Sequence, residues 1–211
     1  MSSRLEIYNG ALLHLGSEPL ASLVEEGTKR RKLDAAWDSV VKWCLNEAYF
    51  NFSIRTVEVS EDEDVETLFG YQFAFSKPDD WVRTAAVSAD EYCQLPLIRY
   101  RDENGYWYAD IDPIYVQYVS NDEEYGLNIG AWPETFVVFA EYALAQKVCK
   151  AVTGSSDGTD TLYKKMIRAK RDAANKDAMD DPATKFLPEG RLVSSRQGSR
   201  LGSREGRFRA G

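Results

Sequence analysis

The chain has 211 residues, of which 44% are hydrophobic and 12% aromatic, a composition that fits one globular domain with appendages and excludes global disorder. Its net charge of −8 is divided unevenly: residues 185–211 carry seven Arg and Lys against two Asp and Glu, so this tail is at +5 and the remainder at −13. An acidic body should repel nucleic acid, whereas a basic tail suits an acidic partner.

The rare residue types argue against several classes of site. Cys44, Cys93 and Cys149 form an odd, scattered set without CxxC spacing, which argues against a disulfide framework or a zinc site and predicts buried thiols. His14 is the only histidine, so mechanisms that need a pair of histidines and metal sites with several histidine ligands are excluded. No known catalytic or cofactor motif occurs, and we therefore predict no catalytic residue, cofactor or metal.

Membrane and export signals are also absent from the sequence. No apolar run approaches the ~20 residues that span a bilayer, and the N-terminus does not resemble a signal peptide. We expect a protein that is made in the cytoplasm and does not contact a membrane.

Two amphipathic helices are predicted at the start of the chain. The first covers residues 3–15, with a serine cap before it and Gly16 as its stop. The second covers residues 28–48, with apolar residues at three- and four-residue spacings. The basic residues 29–32 oppose the dipole of this helix, so they are expected to face a partner or a carboxylate, or else to be solvated.

From residue 52 to residue 132 the pattern becomes that of strands and loops. Asn104-Gly105 is a strong signal for a hairpin turn, and the acidic runs 58–66 and 121–130 read as exposed loops. The predicted strands and hairpin arms are 52–59, 71–75, 98–101, 106–109 and 114–119.

Two further helices are predicted after the strands. The third opens at Trp132-Pro133, with Pro in its first turn, and reaches about residue 152 before Gly154 ends it; its apolar face is wide enough to cover a second surface, such as another subunit. Trp132, Phe139 and Tyr142 are the candidate subunit-interface residues. The fourth helix covers residues 159–179, with an apolar stripe inward and a basic face outward.

These elements predict an α+β fold: a four-helix bundle base with an antiparallel β insertion between helices 2 and 3, and an extended C-terminal tail. The corresponding segments are 1–50 (helices 1 and 2), 51–131 (β insertion with loops), 132–181 (helices 3 and 4) and 182–211 (extended basic tail).

The tail is rich in Gly, Ser and Arg and cannot build a core of its own. Its regularly spaced arginines alternate with apolar residues, a pattern that favours extended docking on a protein partner over a simple polycation; phosphate binding and a solvated tail remain alternatives. The predicted partner-binding residues are Arg191, Leu192, Arg196, Arg200, Leu201, Arg204, Arg207, Phe208 and Arg209.

An ordered series of short motifs covers most of the chain. Residues 11–20 (ALLHLGSEPL) form a helix end followed by a small-Gly-x-x-Pro turn, and residues 48–55 (AYFNFSIR) carry an aromatic segment followed by Arg. Residues 71–83 hold an aromatic strand and a Pro-x-Asp turn, before the Asn104-Gly105 hairpin, a strand and the helix from residue 132. In this order the motifs resemble the phage head-to-tail adaptors, including the tail tubular protein A group.

Two features depart from the family pattern. Phe50 stands where the family usually has Trp, and the Arg and Gly repeats of the tail do not match a family motif.

The resemblance implies a non-enzymatic virion protein at the head-tail junction. Such adaptors form a homo-oligomeric ring, usually of twelve copies, beneath the portal protein and above a downstream tail or nozzle protein. DNA would pass through the channel without specific binding, and the arginines and apolar residues of the tail would dock on the portal. The family resemblance thus predicts a function for a chain in which no catalytic or cofactor motif occurs.

Three other functions stay open on the sequence alone. The arginine tail could make the chain a nucleic-acid-binding module. Acid pairs such as Glu61 with Asp64, or Asp122 with Glu124, could serve a tail-associated glycan hydrolase, although acidic runs in loops are commoner. Within the adaptor class, the protein could instead be a tail completion protein that binds the tail tube.

Overall fold

A computed structural model of the protein describes residues 3–180, apart from Phe69 and Asp157, so the predicted tail lies outside the described residues. Contacts divide the chain after Ala178, and residues 3–178 belong to the first of the two units. The helices are α1 (Arg4–His14), α2 (Thr28–Asn46), α3 (Glu134–Thr153) and α4 (Thr159–Asp180). The strands are β1 (Ile54–Val59), β2 (Phe73–Ser76), β3 (Trp81–Ser88), β4 (Arg101–Glu103), β5 (Tyr106–Ala109) and β6 (Ile114–Ser120).

The helix ends follow from local chemistry, as the sequence predicted. Ser3 and Glu6 form a reciprocal capping box at the start of α1, and Gly16, just beyond its end, has a φ of 66°. Gly154 ends α3 in the left-handed conformation with a φ of 75°. The four helices are confirmed to within two residues at each end.

The six strands form two antiparallel sheets of three strands. The first sheet has the order β1-β6-β3 and the second the order β2-β5-β4. Strand β3 was not predicted, and its pairing with β6 contains two register shifts. The hairpin turn is confirmed: β4 and β5 are joined by Asn104 and Gly105, both with positive φ, as a two-residue type I′ turn requires.

Two apolar cores hold these layers together. The larger core fills the space among the helices and includes Val119 of β6, with Ile54 and Val82 packed against it from β1 and β3. The smaller core lies between the sheets, where Phe75 and Trp107 of the second sheet meet Ile114, Val116 and Tyr118 of the first. The first sheet is therefore the middle layer, covered by helices on part of one face and by the second sheet on the other.

The predicted four-helix bundle with one β insertion is wrong. Two helices come before the strands and two after them, and the strands divide into two sheets, the first of which shares the core of the helices. Helix periodicity predicted which faces are apolar, but periodicity does not say whether a helix or a strand covers each face. None of the described helices is long and apolar enough to cross a lipid bilayer.

The apolar stripe predicted for α4 is confirmed. Leu162, Met166, Ala169 and Ala173 are buried against the other helices. Lys170 forms an ion pair with Glu47 beyond the end of α2, and the Asp177 carboxylate accepts the Asn51 backbone N–H at 3.1 Å. These contacts attach α4 to the segment that leads into β1.

Candidate functional site

The acidic charge of the body is concentrated in its strand region. Residues 51–131 carry 17 Asp and Glu against five Arg and Lys, a net charge of −12. Residues 1–50 and 132–181 carry 15 acidic and 14 basic residues together, so the helical segments are close to neutral. The chain therefore has one strongly acidic region, which gives a polyanion such as DNA no electrostatic attraction.

The surface of α4 has the opposite sign. Lys164, Lys165, Arg168 and Arg171 are exposed along this helix, while the loop between β1 and β2 exposes four carboxylates. These loop carboxylates are Glu61, Glu63, Asp64 and Glu66. One chain thus presents separate basic and acidic faces, a distribution suited to contacts between oppositely charged surfaces of different molecules.

An apolar segment is exposed between β3 and β4. In residues 89–98, here called the knob, Tyr92, Leu95 and Ile98 are 73%, 63% and 96% exposed. Hydrogen bonds fix the backbone of the knob: the Asp90 carboxylate accepts the backbone N–H of Leu95 at 2.7 Å, and the Val87 carbonyl accepts that of Leu97 at 2.8 Å. Apolar side chains clustered on an ordered loop are typical of contact surfaces.

A groove of about 340 Å³ opens between α2, α3 and α4. Trp43 and Tyr163 are partly exposed at its sides, and Lys147 supplies its charge. Phe139 is buried beneath, with its ring centroid 5.9 Å from that of Trp43. Its other apolar lining residues are Val40, Ala143 and Met166.

A buried lysine joins the two sheets. The side chain of Lys77 is 6% exposed, its Nζ lies 2.5 Å from Asp102 Oδ1, and the same nitrogen lies 3.7 Å from the centre of the Trp81 ring. Trp107 donates its indole N–H to Thr84 Oγ1 at 3.0 Å, and Thr84 donates to Asp102 at 2.7 Å. Each polar group has a partner, so this cluster is a structural junction between β3 and the second sheet.

A second charged cluster surrounds Asp80. Its carboxylate accepts hydrogen bonds from Ser120, from Tyr118 at 3.0 Å and from Arg55 at 3.0 Å. Burial opposes ionisation, but these three donors outweigh it and hold the pKa of Asp80 below its usual value. Asp80 is thus an ionised anchor for the end of β6 rather than a proton donor.

Two neighbouring titratable residues with shifted pKa values, His14 and Glu141, lie between α1 and α3. Burial, with a smaller effect of Glu134, raises the pKa of Glu141 to about 7. Burial, with repulsion from Lys165, lowers the pKa of His14, whose ring stacks on Tyr142 at 3.9 Å. His14 Nε2 lies 3.3 Å from Glu141 Oε2 without hydrogen-bond geometry.

Sequence reasoning named His14 but not Glu141. The one signal in the sequence was a glycine, Gly10, inside a predicted helix. In the structure, a Cβ at Gly10 would lie 2.0 Å from Glu141 Oε1. Gly10 therefore leaves room for the carboxyl group.

The acid pairs weighed for hydrolysis lie in loops. Glu61 and Asp64 are exposed, and Asp122 Oδ1 accepts the Glu124 backbone N–H at 2.8 Å. The Asp122 carboxylate thus shapes its own loop. Within residues 3–180, leaving out the two undescribed positions, no three His, Cys, Asp or Glu side chains are grouped as metal ligands.

The candidate interface residues of α3 are placed mostly inside the chain. Phe139 has no exposed surface and Trp132 is 5% exposed, with its indole N–H donated to the Gly126 carbonyl at 2.9 Å. A side chain without exposed surface cannot contact another subunit, so of the three only the partly exposed Tyr142 keeps that role as a prediction. The predicted tail contacts, from Arg191 to Arg209, lie outside the described residues.

The basic residues at the start of α2 are partly used within the chain. Arg30 pairs with Asp34 at 3.2 Å, and Lys32 donates to the Ala151 carbonyl near the end of α3. Cys44 and Cys149 are buried as predicted, whereas Cys93 in the knob is partly exposed.

The exposed knob was missed from the sequence, which predicted a hairpin arm near 98–101. Pro96 beside three apolar residues was the available signal, because proline disfavours a central strand.

No protein-family model matches the chain, and no curated protein matches it significantly.

Proposed function

We propose that the protein is a non-enzymatic virion subunit, a phage head-to-tail adaptor. Its copies form a ring, usually of twelve in such adaptors, between the portal and the downstream tail or nozzle protein. DNA passes through the central channel without specific binding. The subunit is made in the host cytoplasm and functions at the head-tail junction.

This proposal is carried by the structural roles of the motifs that resemble adaptors. Gly16 follows the end of α1, and Asn104-Gly105 forms a tight turn. Phe50 and Phe52 pack on Phe136 with ring centroids 4.8 Å away in both cases. These motif residues serve turns, helix ends and core packing, so the segments that resemble adaptors have structural roles in this chain.

The charge distribution supports the same function. Because the strand region is at −12, it would repel rather than hold a passing polyanion if it lines the channel. The exposed knob supplies apolar surface of the kind that subunit contacts bury.

The test is binding to the portal of the same phage, measured by sedimentation of the full-length protein with purified portal. We expect a complex at moderate salt, and loss of that complex when Leu192, Leu201 and Phe208 are replaced by Ser. The matched variant replaces Arg191, Arg200 and Arg207 by Gln.

The two tail variants distinguish adaptor from nucleic-acid module. If the unsubstituted full-length protein does not bind the portal but shifts DNA in a salt-sensitive manner, and the arginine variant abolishes that shift while the serine variant leaves it intact, the adaptor proposal fails.

A further inference from the structure

We propose that subunits of this protein join head to tail, with the knob of one copy seated in the α2-α3-α4 groove of the next. The inference deepens the proposed function and rests on it, because the ring provides the second copy. Both halves of the contact lie on residues that the structure describes.

The knob is built to be buried by a partner. Its three exposed apolar side chains stand on a loop that the Leu97 N–H to Val87 carbonyl hydrogen bond ties to β3, and within the loop the Leu95 carbonyl accepts the Ala89 N–H at 3.0 Å. A pre-ordered loop loses little conformational entropy on binding, so burial of its apolar surface yields net affinity. Ile98, at 96% exposure, has the most surface to bury.

The groove has the matching character. Apolar side chains line it, with the aromatic rings of Trp43 and Tyr163 partly exposed at its sides. Aromatic side chains that flank an apolar cleft are typical of the sites that carry most of the binding energy in protein contacts. At about 340 Å³ it falls within the ordinary range for cavities that enclose bound side chains or ligands.

Charge complementarity selects a second copy as the occupant. The knob carries Asp90 and Glu91 and no basic residue, whereas Lys147 is the charged residue lining the groove. Around these two sites lie the acidic strand region and the basic surface of α4. Attraction between them would orient the copies and suppress the reverse pairing.

The two sites are different surfaces of one chain, so their pairing is heterologous. A heterologous contact repeated with a rotation that closes produces a ring, whereas a self-complementary contact stops at a dimer. The contact therefore gives the kind of assembly that an adaptor needs.

Cysteine cross-linking tests this arrangement directly. Cys93 in the knob is the one partly exposed cysteine of the chain, since Cys44 and Cys149 are buried. A Ser39→Cys substitution places a second thiol at the groove. We expect mild oxidation with copper phenanthroline to produce a ladder of dimers, trimers and higher species linked from Cys93 to position 39.

The control variant is Ser22→Cys, which adds a thiol at another exposed serine outside the groove. Equal ladders from both variants, or dimers alone from Ser39→Cys, would overturn the head-to-tail contact.

A second measurement uses substitutions on the native cysteine background. Ile98→Asp should weaken self-association in sedimentation at least tenfold, whereas Val24→Asp, at an 85% exposed aliphatic residue outside the knob, should leave it unchanged. Equal effects would contradict the proposal. A ladder without portal binding would support the head-to-tail contact and contradict the adaptor function. Portal binding without a ladder would support the adaptor function and contradict the head-to-tail contact.

Discussion

The ammonium group of Lys77 depends on a single carboxylate for its charge pairing. It is almost fully buried between Asp102 and the Trp81 ring, so removal of the Asp102 charge leaves a buried cation without its carboxylate partner. We predict that Asp102→Asn lowers the free energy of unfolding by about 2 kcal/mol, less than the roughly 3 to 5 kcal/mol for fully buried pairs because Asp102 itself is partly exposed.

The neighbouring strand position provides the control. Glu103 pairs with Arg101 at 3.1 Å, but both side chains are about half exposed. Glu103→Gln should therefore change the unfolding free energy by less than about 0.5 kcal/mol in urea denaturation. Similar losses for the two variants would mean that Lys77 does not depend on Asp102.

Glu141 makes stability depend on pH in a direction unusual for a carboxylate. Its pKa rises from 4.5 to about 7 in the folded chain, so the folded state holds the proton to a higher pH than the unfolded state does. The stabilisation from protonated Glu141 is complete below its unfolded pKa, is lost as the pH rises from 4.5 to about 7, and stays lost above that.

The Glu141→Gln variant isolates this effect, because glutamine is neutral at every pH. We predict that the variant is more stable than the original protein by about 2 to 3 kcal/mol near pH 8, and nearly equal to it near pH 4.5. Urea unfolding at the two pH values measures the difference, from which the contributions of groups distant from Glu141 cancel. A pH-independent difference would contradict the raised pKa.

At the scale of elements, the connection between β6 and α3 depends on one glycine. A Cβ at Gly126 would lie 2.1 Å from the backbone oxygen of Ser120 and 2.9 Å from Leu45 Cδ1. Because the backbone must move to relieve this overlap, Gly126→Ala should destabilise the fold by about 3 kcal/mol.

Gly130 in the same connection is the matched control, since the nearest atom to its added Cβ would be 3.5 Å away. Gly130→Ala should shift the thermal unfolding midpoint little. If the two variants melt alike, the close approach at Gly126 does not restrict the connection.

The same scale shows which elements could be predicted from the sequence. The helices have strong periodicity and end signals, and Asn104-Gly105 determines its own turn, so these elements were predicted closely. Strand β3 was not predicted, because its sequence, WVRTAAVS, lacks clear alternation and its pairing is interrupted by register shifts. Burial in β3 depends on neighbours distant in sequence, which periodicity does not reveal.

At the scale of the whole molecule, the predicted bundle failed for the same reason. Val119 belongs to the helical core although it lies in a strand, and no local pattern assigns a strand residue to a helical core. The net charge of the body could be counted from the sequence. The division of that charge between the strand and helix segments could be counted as well, whereas the exposed knob and the groove between α2, α3 and α4 became apparent only when the elements were placed together.

We propose that copies of this chain form a ring on a portal. Electron microscopy of the full-length protein mixed with portal particles tests it most directly. We predict a ring of added density on one end of the portal, with an open channel along its axis. Portal particles without added density, at protein concentrations where the full-length chain shifts DNA in a salt-sensitive manner, would contradict the account and favour a nucleic-acid-binding module.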